Sequence, residues 1–165
     1  MELLMPDPLV VRATQVAKLL QSKRQRLVLA ESCTGGLVAA TLVQVPGISQ
    51  WFCGSAVVYT VSTKTQWLAV PEKLLRQYSA ESQQATAYLA AAVLQRTSEA
   101  TIAAAVTGHL GPNSPANDGQ VYISVCRRVE TAQVARQIRL LTTVRTERQQ
   151  EAAGEVLALL IECLR

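Results

Sequence analysis

From Val10 onward the apolar positions fall at helical spacing. Val10, Ala13, Val16, Leu19 and Leu20 recur three and four residues apart, and the run closes in the basic Lys23-Arg24-Gln25-Arg26, which suits a helix C-terminus. "RLVLAE" is a short apolar run that predicts a buried strand. "TGGLVAATLVQV" predicts a helix beginning near Thr34 and stopped by Pro46-Gly47. "GSAVVYTV" predicts a second strand. "STKTQWLAV" predicts a short helix capped by Ser62, and "PEKLLRQY" one with Pro71 in its first turn. "SAESQQATAYLAAAVLQRTS" is a long alanine-rich helix with Ser79 or Ser82 as its cap. "ATIAAAVTG" predicts a central strand, and "HLGPNSPANDG" a loop. "QVYISVCRR" and "AQVARQIRLL" form an antiparallel hairpin turning near Glu130-Thr131. "TERQQEAAGEVLALLIECL" is an amphipathic helix, slightly weakened by Gly154. Strands separated by helices, with a late hairpin, give an α/β fold: a single three-layer domain over residues 1–165 with a mixed sheet flanked by helices.

Composition agrees. Of 165 residues, 49% are hydrophobic but only 4% aromatic, so the core is aliphatic and suits helices packed closely on a sheet. The net charge of +4 is mild. Its basic groups are spread along the chain and not interleaved with aromatic residues, which favours solvated element ends or a small anionic ligand over a nucleic-acid face. Cys33, Cys53, Cys126 and Cys163 form no CxxC pair, and His109 is the lone histidine, so neither a zinc site nor a disulfide framework is expected. "MELLMPDPLV" lacks the pattern of a signal peptide, and no apolar segment is long and clean enough to span a bilayer. A cytoplasmic protein with free thiols is the expectation.

The candidate chemistry lies in "LVLAESCTGGLVAA". Ser32, Cys33 and Thr34 stand between a buried strand and a helix, and Gly35 and Gly36 follow. Free N–H groups at a helix start can hold an anion or a developing oxyanion. Capping by Ser32 or Thr34 accounts for the same residues. The pattern is neither a P-loop nor a GxSxG elbow, and nothing near His109 supports a serine–histidine pair. Lys64, beside Tyr59 and in the first turn of a helix, is a candidate base for a serine, since burial and the helix dipole both disfavour its charge.

"AESCTGG", then "VVYTVSTKTQWLAV", then "VTGHLGPNSP…GQVYISV", in this order and spacing, resemble the C-terminal domain of competence/damage-inducible protein A (CinA) from about Val10 to the end. Its stand-alone forms are nicotinamide-nucleotide amidohydrolases. The resemblance implies that form, hydrolysis of nicotinamide mononucleotide to nicotinic acid mononucleotide and ammonia, no metal or organic cofactor, and a homodimer. It implies Ser32 as nucleophile, Lys64 as general base and Tyr59 as the lysine's hydrogen-bonding partner. Backbone around Cys33, Thr34, Gly35 and Gly36, with Thr107 and Gly108, would hold the oxyanion or nucleotide, and Arg145 the substrate phosphate. Four departures stand out. Asn113 and Ser114 replace loop glycines, Val61 and Ser62 replace Asn and Glu, "SAES" replaces "GAVS", and Gln149 stands where a second arginine is usual. These departures suit a paralogue with altered specificity or reduced activity.

Overall fold

The computed structural model describes residues 7–165; the first six residues, part of the segment read above as lacking a signal peptide, lie outside the described residues. The elements in order are α1 (Pro8–Lys23), β1 (Leu27–Glu31), α2 (Leu37–Leu42), β2 (Phe52–Val57), α3 (Val61–Leu68), α4 (Glu72–Tyr78), α5 (Gln83–Arg96), β3 (Ile102–Gly108), β4 (Gln120–Arg127), β5 (Val134–Arg139) and α6 (Arg145–Leu164). The sheet order is β2-β1-β3-β4-β5. β2, β1 and β3 run parallel, while β4 and β5 form the antiparallel hairpin.

Strand alternation builds the three layers. Leu27, Leu29, Ile102, Ala104 and Val106 face a core shared with α1, α2 and α6. Val28, Ala30, Ala103 and Ala105 face a second core formed with α3, α4 and α5. Burial on both faces explains why β1 and β3 read as continuous apolar runs. Gly154 has a packing reason: a Cβ there would lie 2.8 Å from the Arg12 guanidinium, so the bare position lets α1 approach α6.

Several boundaries differ from the sequence reading. The helix expected from Thr34 starts at Leu37, because Gly35 and Gly36 take positive φ values of 62° and 96° and spend residues 32–36 on a turn. It also ends at Leu42, short of Pro46. β2 closes at Val57, leaving Tyr59 in the connection. α3 is capped by Thr60, not Ser62, because Thr60 and Thr63 exchange hydrogen bonds in a capping box. Pro71 stands one residue before α4, and Ser82 caps α5 by accepting from the Ala85 N–H. All four cysteines are unpaired. Among the described residues, no helix is long and apolar enough to cross a membrane and no His/Cys/Asp/Glu cluster could hold a metal.

Candidate active site

The turn after β1 is built around a carboxylate. Glu31 is buried, and its Oε2 accepts from Thr34 Oγ1 at 2.7 Å and from the Gly36 and Val38 N–H groups at 3.1 Å. Its Oε1 accepts from the Ala39 N–H and Ser55 Oγ, both at 3.0 Å. The free donors at the start of α2 are thus filled from within the chain. Gly35 N–H donates to the Ser32 carbonyl at 3.0 Å. Of the backbone donors expected between Cys33 and Gly36, only those of Cys33 and Thr34 are left without an acceptor among the described residues.

Ser32 is pinned by its N–H, which donates to the Val106 carbonyl at 3.1 Å and extends the β1–β3 register. That register sets Thr107 beside Ser32. Thr107 and Thr86 share a buried hydroxyl–hydroxyl hydrogen bond of 2.8 Å, which ties the first turn of α5 to the end of β3. Gly108 packs against β4: a Cβ there would lie 2.9 Å from the Gln120 carbonyl.

Lys64 enters from the other side. On α3 it shares the inward face with Leu68, while Val61 and Trp67 are exposed. The lysine is fully buried. Its Nζ donates to Ser32 Oγ at 2.9 Å, to the Val58 carbonyl at 2.8 Å and to the Tyr59 carbonyl at 3.3 Å. These acceptors match the three protons of an ammonium. Burial pushes the Lys64 pKa down, opposed by the negative charge of Glu81 and by Cys33.

Tyr59 therefore meets Lys64 through its backbone carbonyl. Its phenolic oxygen instead accepts from Arg145 at 2.9 Å, and the same guanidinium donates to the Gly111 carbonyl at 2.7 Å. Arg145 stands at the first residue of α6 and joins the Tyr59 connection to the 109–119 loop. Cys33 is buried against the α1/α2/α6 core, and burial first of all pushes its thiol up to about 12, which leaves no thiolate for attack near neutral pH. His109 uses its backbone, not its ring, to hold the loop.

Sequence reasoning missed three acidic or basic positions. Glu31 reads in the sequence as the end of a strand within "AESCTGG", with no role of its own. Arg148, buried on α6, holds Asp118 through two hydrogen bonds of 2.7 and 2.8 Å and fastens the 109–119 loop. Glu81 is half-buried just before the α5 cap, where its charge reaches both Lys64 and Cys33. The one advance signal was at Glu81, in the altered "SAES".

A buried lysine on a serine hydroxyl, with free N–H groups one and two residues on, can run acyl transfer. The chain is 38% identical over 121 residues to a nicotinamide-nucleotide amidohydrolase, PncC, of Pseudomonas putida, covering 72% of this chain and 75% of that protein. It is 41% identical over 113 residues to a CinA-like protein of Pseudothermotoga lettingae, covering 67% of this chain but only 28% of that longer protein. It thus spans little more than a quarter of the CinA-like relatives it matches. The competence/damage inducible protein of Agrobacterium tumefaciens superposes with a TM-score of 0.89 at 28% identity, over 98% of this chain and 99% of that one. A CinA superfamily protein of Klebsiella pneumoniae does so with a TM-score of 0.88 at 26% identity, over 94% of this chain and 97% of that one. The profile of the CinA C-terminal domain matches residues 11–164, and the chain belongs to that family.

Proposed function

We propose that the chain hydrolyses the carboxamide of nicotinamide mononucleotide, giving nicotinic acid mononucleotide and ammonia. The observation that carries this reading is the 2.9 Å contact between a fully buried Lys64 amine and Ser32 Oγ. The amidohydrolase relative from Pseudomonas putida supports the substrate class.

In this mechanism neutral Lys64 takes the Ser32 proton as Oγ attacks the amide carbon. The oxyanion is held by the Cys33 and Thr34 N–H groups. Lys64 returns the proton to the departing nitrogen, the C–N bond breaks, and ammonia leaves an ester on Ser32. Lys64 then takes a proton from water, whose oxygen attacks that ester. The carboxylic acid leaves, and Ser32 Oγ regains a proton. Tyr59 positions the lysine through its carbonyl. Arg145 is bonded only to neutral oxygens and keeps its charge for the phosphate.

A second reading, altered specificity with weak or absent deamidation of this nucleotide, is favoured by Gln149. Its neutral amide lies 3.9 Å from where a Gly35 Cβ would stand. Ammonia release from nicotinamide mononucleotide separates the two. Turnover lost on Ser32→Ala supports the first reading, and nucleotide binding without turnover supports the second.

A further inference from the structure

Tyr59 reaches two parts of the site with two different atoms. Its backbone lies inward. Val58 before it is fully buried, Thr60 after it caps α3, and the Val58 and Tyr59 carbonyls accept from Lys64 Nζ at 2.8 and 3.3 Å. A neutral lysine amine has two protons and one lone pair. The two carbonyls take the protons, and the lone pair is left facing Ser32 Oγ at 2.9 Å. The base is therefore oriented by backbone groups, and no partner is missing for the phenol to supply.

The ring points the other way. Tyr59 is 55% exposed, and its phenolic oxygen accepts from Arg145 at 2.9 Å. Among the described residues the phenol's own proton has no acceptor. Arg145 enters no ion pair among them either, whereas Arg148, one turn on along α6, is paired with Asp118. Arg145 spends one N–H on the Tyr59 hydroxyl and one on the Gly111 carbonyl, which leaves the rest of a guanidinium's five donors unused. It lines a cavity of about 350 Å³ together with Gly111, Pro112 and Asp118, whose carboxylate Arg148 already neutralises. The unused phenol proton thus stands beside the unused guanidinium protons of a residue in that cavity's wall.

We propose that the Tyr59 hydroxyl is a specificity-determining group: together with Arg145 it binds the anion of the substrate, and it takes no part in the proton transfer between Ser32 and Lys64. This rests on the amidohydrolase reading above and departs from the role that the resemblance gives to Tyr59. By donating to the phenolic oxygen, Arg145 turns the phenol's proton away from itself and toward an oxygen that the guanidinium also reaches. A ligand carrying a phosphate gains a charge-assisted O–H···O bond there, and one without a phosphate gains nothing. One residue then serves both ends of the site, the base through its carbonyl and the anion through its hydroxyl.

Nicotinamide mononucleotide and nicotinamide riboside differ only by the phosphate. Their dissociation constants are measured by calorimetry on Ser32→Ala protein, with and without Tyr59→Phe, which keeps the ring. The expected result is a loss of about tenfold for the nucleotide and none for the riboside. On an Arg145→Gln background the same change costs less than about threefold, because the two groups act on one anion. With Ser32 restored, Tyr59→Phe raises KM for the nucleotide about tenfold and leaves the pH limb set by Lys64 in place. An unmoved nucleotide affinity, an equal loss for both ligands, a shifted pH limb, or no preference for the nucleotide in the parent overturns the assignment. Ammonia release by the wild-type chain is measured alongside. Its absence sinks the amidohydrolase reading itself, while the calorimetry still decides the role of Tyr59. Release combined with an unmoved nucleotide affinity sinks only that role.

Discussion

Lys64 Nζ lies 2.9 Å from Ser32 Oγ, and the lysine carrying it has no exposure to solvent. When the amine is charged it donates along this contact. When it is neutral the serine donates, and the pair is set for proton transfer. The protonation state of one side chain therefore governs the site.

Activity should rise with pH through the folded-state pKa of Lys64, which lies below the ordinary 10.5, and then level off. Glu81 favours the charged amine, so Glu81→Gln should move this limb to lower pH in a kcat/KM profile. Stability follows the same proton. The folded chain releases it at lower pH than the unfolded chain does, so between the lowered pKa and 10.5 the unfolded state binds more protons and stability rises with pH. Lys64→Met should remove that rise from denaturation curves taken across the alkaline range.

Glu31 accepts five hydrogen bonds within one turn and its neighbours. Replacing the carboxylate with an amide turns an acceptor into a donor facing N–H groups. Glu31→Gln should cost about 3 kcal/mol in urea unfolding. A loss within a few tenths would mean that the turn does not depend on this strut.

The 109–119 loop should loosen in acid. The Arg148 hydrogen bonds hold the Asp118 carboxyl below its usual 3.8. Burial raises Glu151, but the Leu141 and Thr142 donors outweigh it and set it below 4.5. Both contributions are complete above those ordinary values and are lost as pH falls through the depressed ones. Hydrogen exchange at the His109 and Gly119 amides should accelerate over that descent, and Asp118→Asn should produce the acceleration at neutral pH.

Ser79 holds a backbone conformation suited to glycine, at φ 78° and ψ 156°. Ser79→Gly should stabilise the chain by about 1 kcal/mol despite the lost hydroxyl, since relief of strain outweighs its two long, exposed hydrogen bonds to Glu81. Thermal unfolding of the variant against wild type measures it.

The layers were legible because their signals are local. "LVLA" and "IAAAV" are buried on both faces, and the hairpin and the last helix announce themselves by alternation and periodicity. Ser32, Tyr59 and Lys64 stood out because the motifs that carry them resemble those of the family in order and spacing. What escaped depended on contacts between distant residues: Glu31 meets Ser55, and Arg148 meets Asp118, 24 and 30 positions apart. α2 starts later than expected because Gly35 and Gly36 form a turn, and the buried Glu31 carboxylate, not the Ser32 or Thr34 hydroxyl, accepts from the donors that follow. Tyr59 does accept from Lys64, but which of its atoms does so, the backbone carbonyl, is something a sequence does not say.

The most direct test is ammonia release from nicotinamide mononucleotide by the wild-type chain, Ser32→Ala and Lys64→Ala, with folding of each variant checked by circular dichroism. The dyad predicts clear turnover in the wild type and a loss of at least about a thousandfold in each variant. Substantial release from both folded variants would contradict it.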